Sequence, residues 1–333
     1  MSISTRLHTT YEHTSRFARD AEIRLPVDHP PSVVYAPNDA SLMFGVSAAL
    51  TTPFGEDGSI DTARLVAHAH AALASACDSV TLFGTTGEGA SISASERLQV
   101  LRAMIRSGVD PSKVVLAIQS CSPADTIQQA AHAFTERCTT FLIAPPFYFK
   151  AVTDDGLFRW FSSVISELRG KEIRVILYHI PQITEVPLSI DLTRRLKSAF
   201  PNQVYAVKDS AGDFDNTSAL LADARLAVLV GDERHLARAT ALGAQGTISG
   251  LANVESERLA AILETARPDS RVDALVNTIA KYPVIPALKV LVSHRTGDDA
   301  WLRVRPPLTE LQDVEVEDVA RVYDRMVAPK DSD

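Results

Sequence analysis

Lys208 closes the apolar run Val204-Tyr-Ala-Val-Lys208. An amine held at the end of an apolar strand is poorly hydrated. Loss of water favours the neutral form, and a neutral amine attacks a carbonyl carbon to give a Schiff base. The ordinary alternative is a lysine that snorkels to solvent at the strand mouth, the commoner fate of a charged side chain. Tyr178 changes the balance. It ends the preceding apolar run, and consecutive strands tend to be neighbours. Its phenol is therefore placed to relay protons to a carbinolamine or a substrate oxygen. Taken alone it reads as a buried aromatic with its hydroxyl satisfied locally.

The loop Gly84-Thr85-Thr86-Gly87-Glu88-Gly89 offers backbone N–H groups and two hydroxyls to an anion, and Thr85 and Thr86 suit a carboxylate. Its glycine spacing is neither the dinucleotide fingerprint nor the Walker pattern, so in isolation it is a tight turn. A carboxylate beside an anion site repels the ligand. Glu88 is therefore expected to cap backbone or to pair with a cation. His68 and His70 are two apart and cannot share a helix face. His179 and Asp209 follow Tyr178 and Lys208 and point to the opposite strand faces. None of these is expected to be catalytic, and Asp209 is expected to hold its strand end. No H-E-x-x-H or paired-carboxylate pattern occurs, so no metal site is expected.

Short Val/Ile/Leu runs alternate with segments of helical period. The pattern predicts strands at Phe44–Leu50, Ser79–Phe83, Lys113–Ile118, Thr140–Ala144, Ile173–Tyr178, Gln203–Val207, Leu226–Val230 and Gly246–Ile248. Helices are predicted near 61–75, 93–107, 123–136, 153–168, 189–198, 213–223 and 232–242. Asp61 is a helix N-cap, and Ser93-Ala-Ser-Glu96 has the spacing of a capping box. Eight nearly all-apolar strands alternating with helices imply a parallel sheet covered on both faces, and the count favours a closed (β/α)8 barrel. The threonine loop, Tyr178 and Lys208 all fall at strand C-terminal ends, where barrel active sites lie. Four further helices, near 253–267, 272–280, 284–294 and 315–327, supply the last barrel helix and a C-terminal helical region. The expected organisation is an arm over residues 1–41, a barrel core over 42–252, and the last barrel helix with the helical region over 253–333.

The chain has 333 residues and a net charge of -8, which argues against a nucleic-acid binder. It contains no apolar run of about 18 residues, and its N-terminus has no secretory core, so no membrane partner is expected. Arginines spread through the first residues are interrupted by Glu12, Asp20 and Glu22, which breaks the presequence pattern. Cys77, Cys121 and Cys138 have no C-x-x-C spacing and read as thiols in a reducing, cytoplasmic compartment.

Gly84-Thr-Thr-Gly-Glu88, Tyr178-His-Ile-Pro181, Lys208-Asp-Ser and Gly246-Thr-Ile-Ser249 fall in order on successive strand ends. The set resembles the dihydrodipicolinate synthase / N-acetylneuraminate lyase family of class I pyruvate aldolases, over roughly residues 44 to 310. The resemblance implies a (β/α)8 TIM barrel with a C-terminal helical region, usually assembled as a homotetramer of tight dimers. It implies that Lys208 forms an imine with pyruvate or another 2-oxo acid, with no cofactor, and that Tyr178 transfers protons. Thr85 and Thr86 would bind the carboxylate, with Thr86 also in the hydroxyl relay. Tyr148 matches a tyrosine inserted by a neighbouring subunit, and Gly231 and Ile248 would line the pyruvate pocket through their backbone.

One position departs from the family. The synthase branch carries an arginine two residues after the motif proline, for the second substrate's carboxylate. Here that residue is Ile183, which cannot make a charge-assisted pair. The leading expectation is therefore a lyase, aldolase or dehydratase, acting on pyruvate or a hydroxy-2-oxo acid of sugar type. Lys208-Asp-Ser-Ala-Gly-Asp213 resembles the family's sugar-acid and hydroxy-oxo-acid aldolases and dehydratases more than its synthases. A true dihydrodipicolinate synthase and a non-catalytic 2-oxo acid binding protein are the alternatives. Ile183, Gln182, Ser249 and Gly250 are the expected specificity positions.

Overall fold

The computed structural model describes residues 43–223 and 225–328. The arm expected over residues 1–41 lies outside them. Eight strands form the centre: β1 (Gly45–Ala49), β2 (Ser79–Leu82), β3 (Val114–Ile118), β4 (Thr140–Ile143), β5 (Arg174–His179), β6 (Val204–Asp209), β7 (Ala227–Val230) and β8 (Gly246–Ser249). They are parallel, lie in chain order and close through a β8–β1 pairing into a barrel. The (β/α)8 fold read from the strand count is the fold observed.

Two faces of these strands build two cores. Val115, Ala117, Leu142, Ile176, Tyr178, Ala206, Leu229 and Ile248 form a compact inner cluster. The alternate residues, such as Val114, Leu116, Phe141, Val175, Val207 and Val228, join the larger cluster beneath the helices. Full burial on both faces explains why the strands read as continuous apolar runs rather than alternating ones. The helices begin where the sequence marks them. Asp61 accepts from the backbone N–H of Arg64, and Ser93 and Glu96 make the reciprocal capping box.

The helix Ala252–Thr265 returns to the barrel, and the helices Ser270–Ile279, Val284–Thr296 and Asp313–Val327 follow it. β5 and β6 run on to His179 and Asp209, past the ends read from apolar runs, because polar side chains at strand tips break the pattern but not the ladder. A four-residue helix, Pro181–Thr184, follows β5. It is too short to show a period, and Pro181 starts it where no N–H is needed. No helix of the described residues is long and apolar enough to cross a membrane.

Arg305 ties the C-terminal segment to the barrel partly through Glu96, whose carboxyl it holds down at about 2. A folded-state pKa below the ordinary value contributes stability above that value and loses it as pH falls. Acid titration of Tm should therefore show a loss between pH 4.5 and about 2, and Glu96→Gln should flatten that part of the curve.

Candidate active site

Lys208 and Tyr178 stand opposite one another in the β5–β6 register and both face the barrel interior. They are 6% and 2% exposed, so the Lys208 amine is not a snorkelling one. Its Nζ lies 3.4 Å from Tyr178 Oη and 4.5 Å from the ring centroid. Tyr178 Oη in turn lies 3.2 Å from Thr85 Oγ1. An amine, a phenol and a hydroxyl thus form one chain of hydrogen bonds from β6 to the loop after β2.

The threonine loop has a constrained backbone. Phe83 and Glu88 at its two ends adopt positive φ of 59° and 55°, uncommon for residues other than glycine. A Cβ on Gly87 would meet the Leu50 carbonyl at 2.7 Å, so the loop packs backbone against backbone there. Thr86 points elsewhere than Thr85: its Oγ1 faces Gly250, where a Cβ would sit 3.3 Å away. The resemblance put Thr86 in the hydroxyl relay; the threonine hydroxyl hydrogen-bonded to Tyr178 Oη here is that of Thr85. Sequence spacing did not distinguish adjacent threonines because a tight turn, unlike a strand, does not fix which side chain points inward.

Gly231 follows β7, and a Cβ there would meet Ser210 Oγ at 2.0 Å, so only glycine fits. Ile248 is buried in the inner cluster. Tyr148 stands apart. It is 75% exposed, stacks edge-on against Phe149, and donates its backbone N–H to Cys121 Sγ at 3.3 Å. Its loop is held by Lys150 Nζ, which donates to the carbonyls of Phe147 and Thr184. Lys150 was not singled out in the sequence, and Cys121 was read there only as a thiol, since their contacts join segments distant along the chain. Ile183 is 61% exposed on the short helix after β5.

The remaining polar residues of this end have other tasks. Asp209 accepts from Asn216 Nδ2 at 3.0 Å and Thr217 Oγ1 at 2.8 Å, fastening β6 to the next helix. His179 Nδ1 accepts from the Leu188 N–H, and burial pushes its pKa down against the pull of Asp209. His68 bonds Asn253 and His70 bonds Ser107. Glu88 pairs with Lys289, the cation that its position beside an anion loop called for. No group of three or more His, Cys, Asp or Glu side chains among the described residues is arranged to hold a metal ion.

A family model described as the dihydrodipicolinate synthetase family matches residues 42–325. The chain belongs to this family. Family members are class I lyases that work through a lysine Schiff base, and this chain is an enzyme of that class. It is 30% identical over 294 residues to an uncharacterized DapA-like lyase of Chloroflexus aurantiacus, covering 85% of this chain and 97% of that one. It is 32% identical over 215 residues to the 4-hydroxy-tetrahydrodipicolinate synthase of Mycobacterium leprae strain Br4923, covering 65% of this chain and 70% of that one. A crystal structure of dihydrodipicolinate synthase from Agrobacterium tumefaciens superposes with a TM-score of 0.83 at 46% identity, covering 86% of this chain and all of that one.

Proposed function

We propose that this enzyme cleaves or dehydrates a hydroxy-2-oxo acid of sugar type through an imine on Lys208, with pyruvate or a close relative as the imine-forming part. The observation that carries the reading is the buried Lys208–Tyr178–Thr85 chain of hydrogen bonds at the mouth of the barrel. The Lys208 nitrogen attacks the C2 carbonyl, and the resulting carbinolamine loses its oxygen as water to give the protonated imine. That imine is the electron sink.

In retro-aldol cleavage the C4 hydroxyl gives up its proton and the C3–C4 bond breaks. Its electron pair moves to C3 and the imine nitrogen, leaving an enamine and an aldehyde. The enamine takes a proton at C3, and water releases pyruvate and the free amine. In dehydration a C3 proton and a hydroxide leave instead. Tyr178 and Thr85 move protons at the carbinolamine, and the threonine loop holds the carboxylate. Gly231 and Ile248 border the pocket.

Tyr148, exposed on its own chain, is assigned to the site of a neighbouring copy in a homotetramer. No metal or organic cofactor is required, because the imine supplies the sink. The free thiols suit a reducing cytoplasm.

The test is a panel of 2-oxo and hydroxy-2-oxo acids with product analysis. Pyruvate plus an aldehyde marks cleavage, and a dehydrated acid marks water loss. Tight binding with no turnover of any acid overturns the reading in favour of a binding protein.

A second reading, dihydrodipicolinate synthase, is supported by the 46% identity to the Agrobacterium structure of that description. Ile183 weighs against it. A charge-assisted hydrogen bond contributes about 1.5–3 kcal/mol, about tenfold or more in affinity. Ile183→Arg should accordingly raise condensation of pyruvate with aspartate semialdehyde by about tenfold or more in a coupled assay.

A further inference from the structure

Glu88 carries a buried carboxylate that the chemistry at Lys208 does not use. Its side chain and that of Lys289, on the helix Val284–Thr296, are both fully shut from solvent and ion-paired. The second carboxylate oxygen accepts from the backbone N–H of Arg305 at 2.8 Å. Lys289 Nζ also donates to the Arg303 carbonyl and lies 4.5 Å from the Phe54 ring centroid. The Arg305 guanidinium lies 4.7 Å from the same centroid. It also donates to the carbonyls of Gly58 and Ser91.

Two charges taken out of water are costly, and their attraction compensates only when further hydrogen bonds satisfy both groups. Burial pushes the Lys289 pKa down while Glu88 pulls it back up. An apolar pair would fill the same space without that cost. What the ion pair adds is direction. Its partners come from the C-terminal region, and Glu88 is the left-handed residue that ends the threonine loop, its own N–H donating to the Thr85 carbonyl at 3.0 Å.

We infer that Glu88 and Lys289 are positioning residues through which the C-terminal helical region fixes the end of the threonine loop, and with it the aim of the Thr86 hydroxyl at the substrate carboxylate. What the loop binds rests on the function proposed above; the tether itself does not.

The double variant Glu88→Gln, Lys289→Met removes both charges together. Tyr323→Phe is the control, since it removes a hydrogen bond to Glu255 in the same helical region without touching the loop. The double variant should raise KM for the 2-oxo acid about tenfold or more with kcat changed by less than about threefold. Amide exchange in the peptide spanning 84–92 should quicken while exchange in the barrel strands stays as it was. The control should leave both unchanged. Should the double variant not fold, Glu88→Leu, Lys289→Met, apolar at both positions, is read the same way.

KM within about twofold of the parent, together with unaltered loop exchange, overturns the inference. So does a control that loosens the loop equally. If the parent enzyme forms no pyruvate adduct on Lys208, the proposed function fails, and the exchange comparison still decides whether the tether exists.

Discussion

Lys208→Ala should lower kcat/KM by about 10⁴-fold or more, the largest effect of any single substitution in this chain. The reason is chemical rather than structural. Without the amine no imine forms, and no other group at the barrel mouth supplies an electron sink for breaking a bond at C3. Lys208→Arg should fail to the same extent, because a guanidinium stays protonated and has no lone pair to give. The loss should be confined to turnover. The carboxylate loop is contributed by another strand end, so 2-oxo acid binding should survive with a modest rise in Kd, measurable by calorimetry. Loss of binding together with turnover would instead mean that Lys208 serves mainly as a counter-charge.

Tyr178→Phe should lower kcat by about 10²–10⁴-fold with KM changed little. The ring stays in the inner cluster, so packing is kept and only the hydroxyl is lost. That hydroxyl bridges Thr85 Oγ1 at 3.2 Å and Lys208 Nζ at 3.4 Å, so its removal cuts the proton path between loop and amine. Imine formation should continue more slowly, since water can carry protons in its place. Thr85→Val should resemble Tyr178→Phe in kind, whereas Thr86→Val should act mainly on KM. Steady-state kinetics on the three variants, with rapid-quench measurement of imine formation, checks the assignment.

How much of this was legible in the sequence depended on the distance over which each signal acts. The barrel was legible because each buried strand announces itself locally, and eight such runs between helical segments leave few topologies. Lys208 and Tyr178 were legible as a pair because a strand's period of two, together with adjacent order, puts both on the inner face. His179 and Asp209 were excluded by that same rule, and their contacts lie on the outer face.

The rest needed three dimensions. Thr85 and Thr86 share a turn without a fixed period, and only the backbone of that turn sends Thr85 to Tyr178. Glu88 asked for a cation, but Lys289 lies some two hundred positions further along the chain, inside a helix read only from its period. Ile183 could be named as a departure from the family pattern, yet its exposure on a four-residue helix could not be read from periodicity.

The central claim is that Lys208 is the imine-forming residue. Borohydride reduction of the enzyme in the presence of pyruvate, followed by peptide mass analysis, tests it most directly. The account predicts that one peptide, containing Lys208, gains the mass of pyruvate less one oxygen, with activity lost in proportion, and that Lys208→Ala gains none. No stable adduct, or an adduct on another lysine, would contradict it.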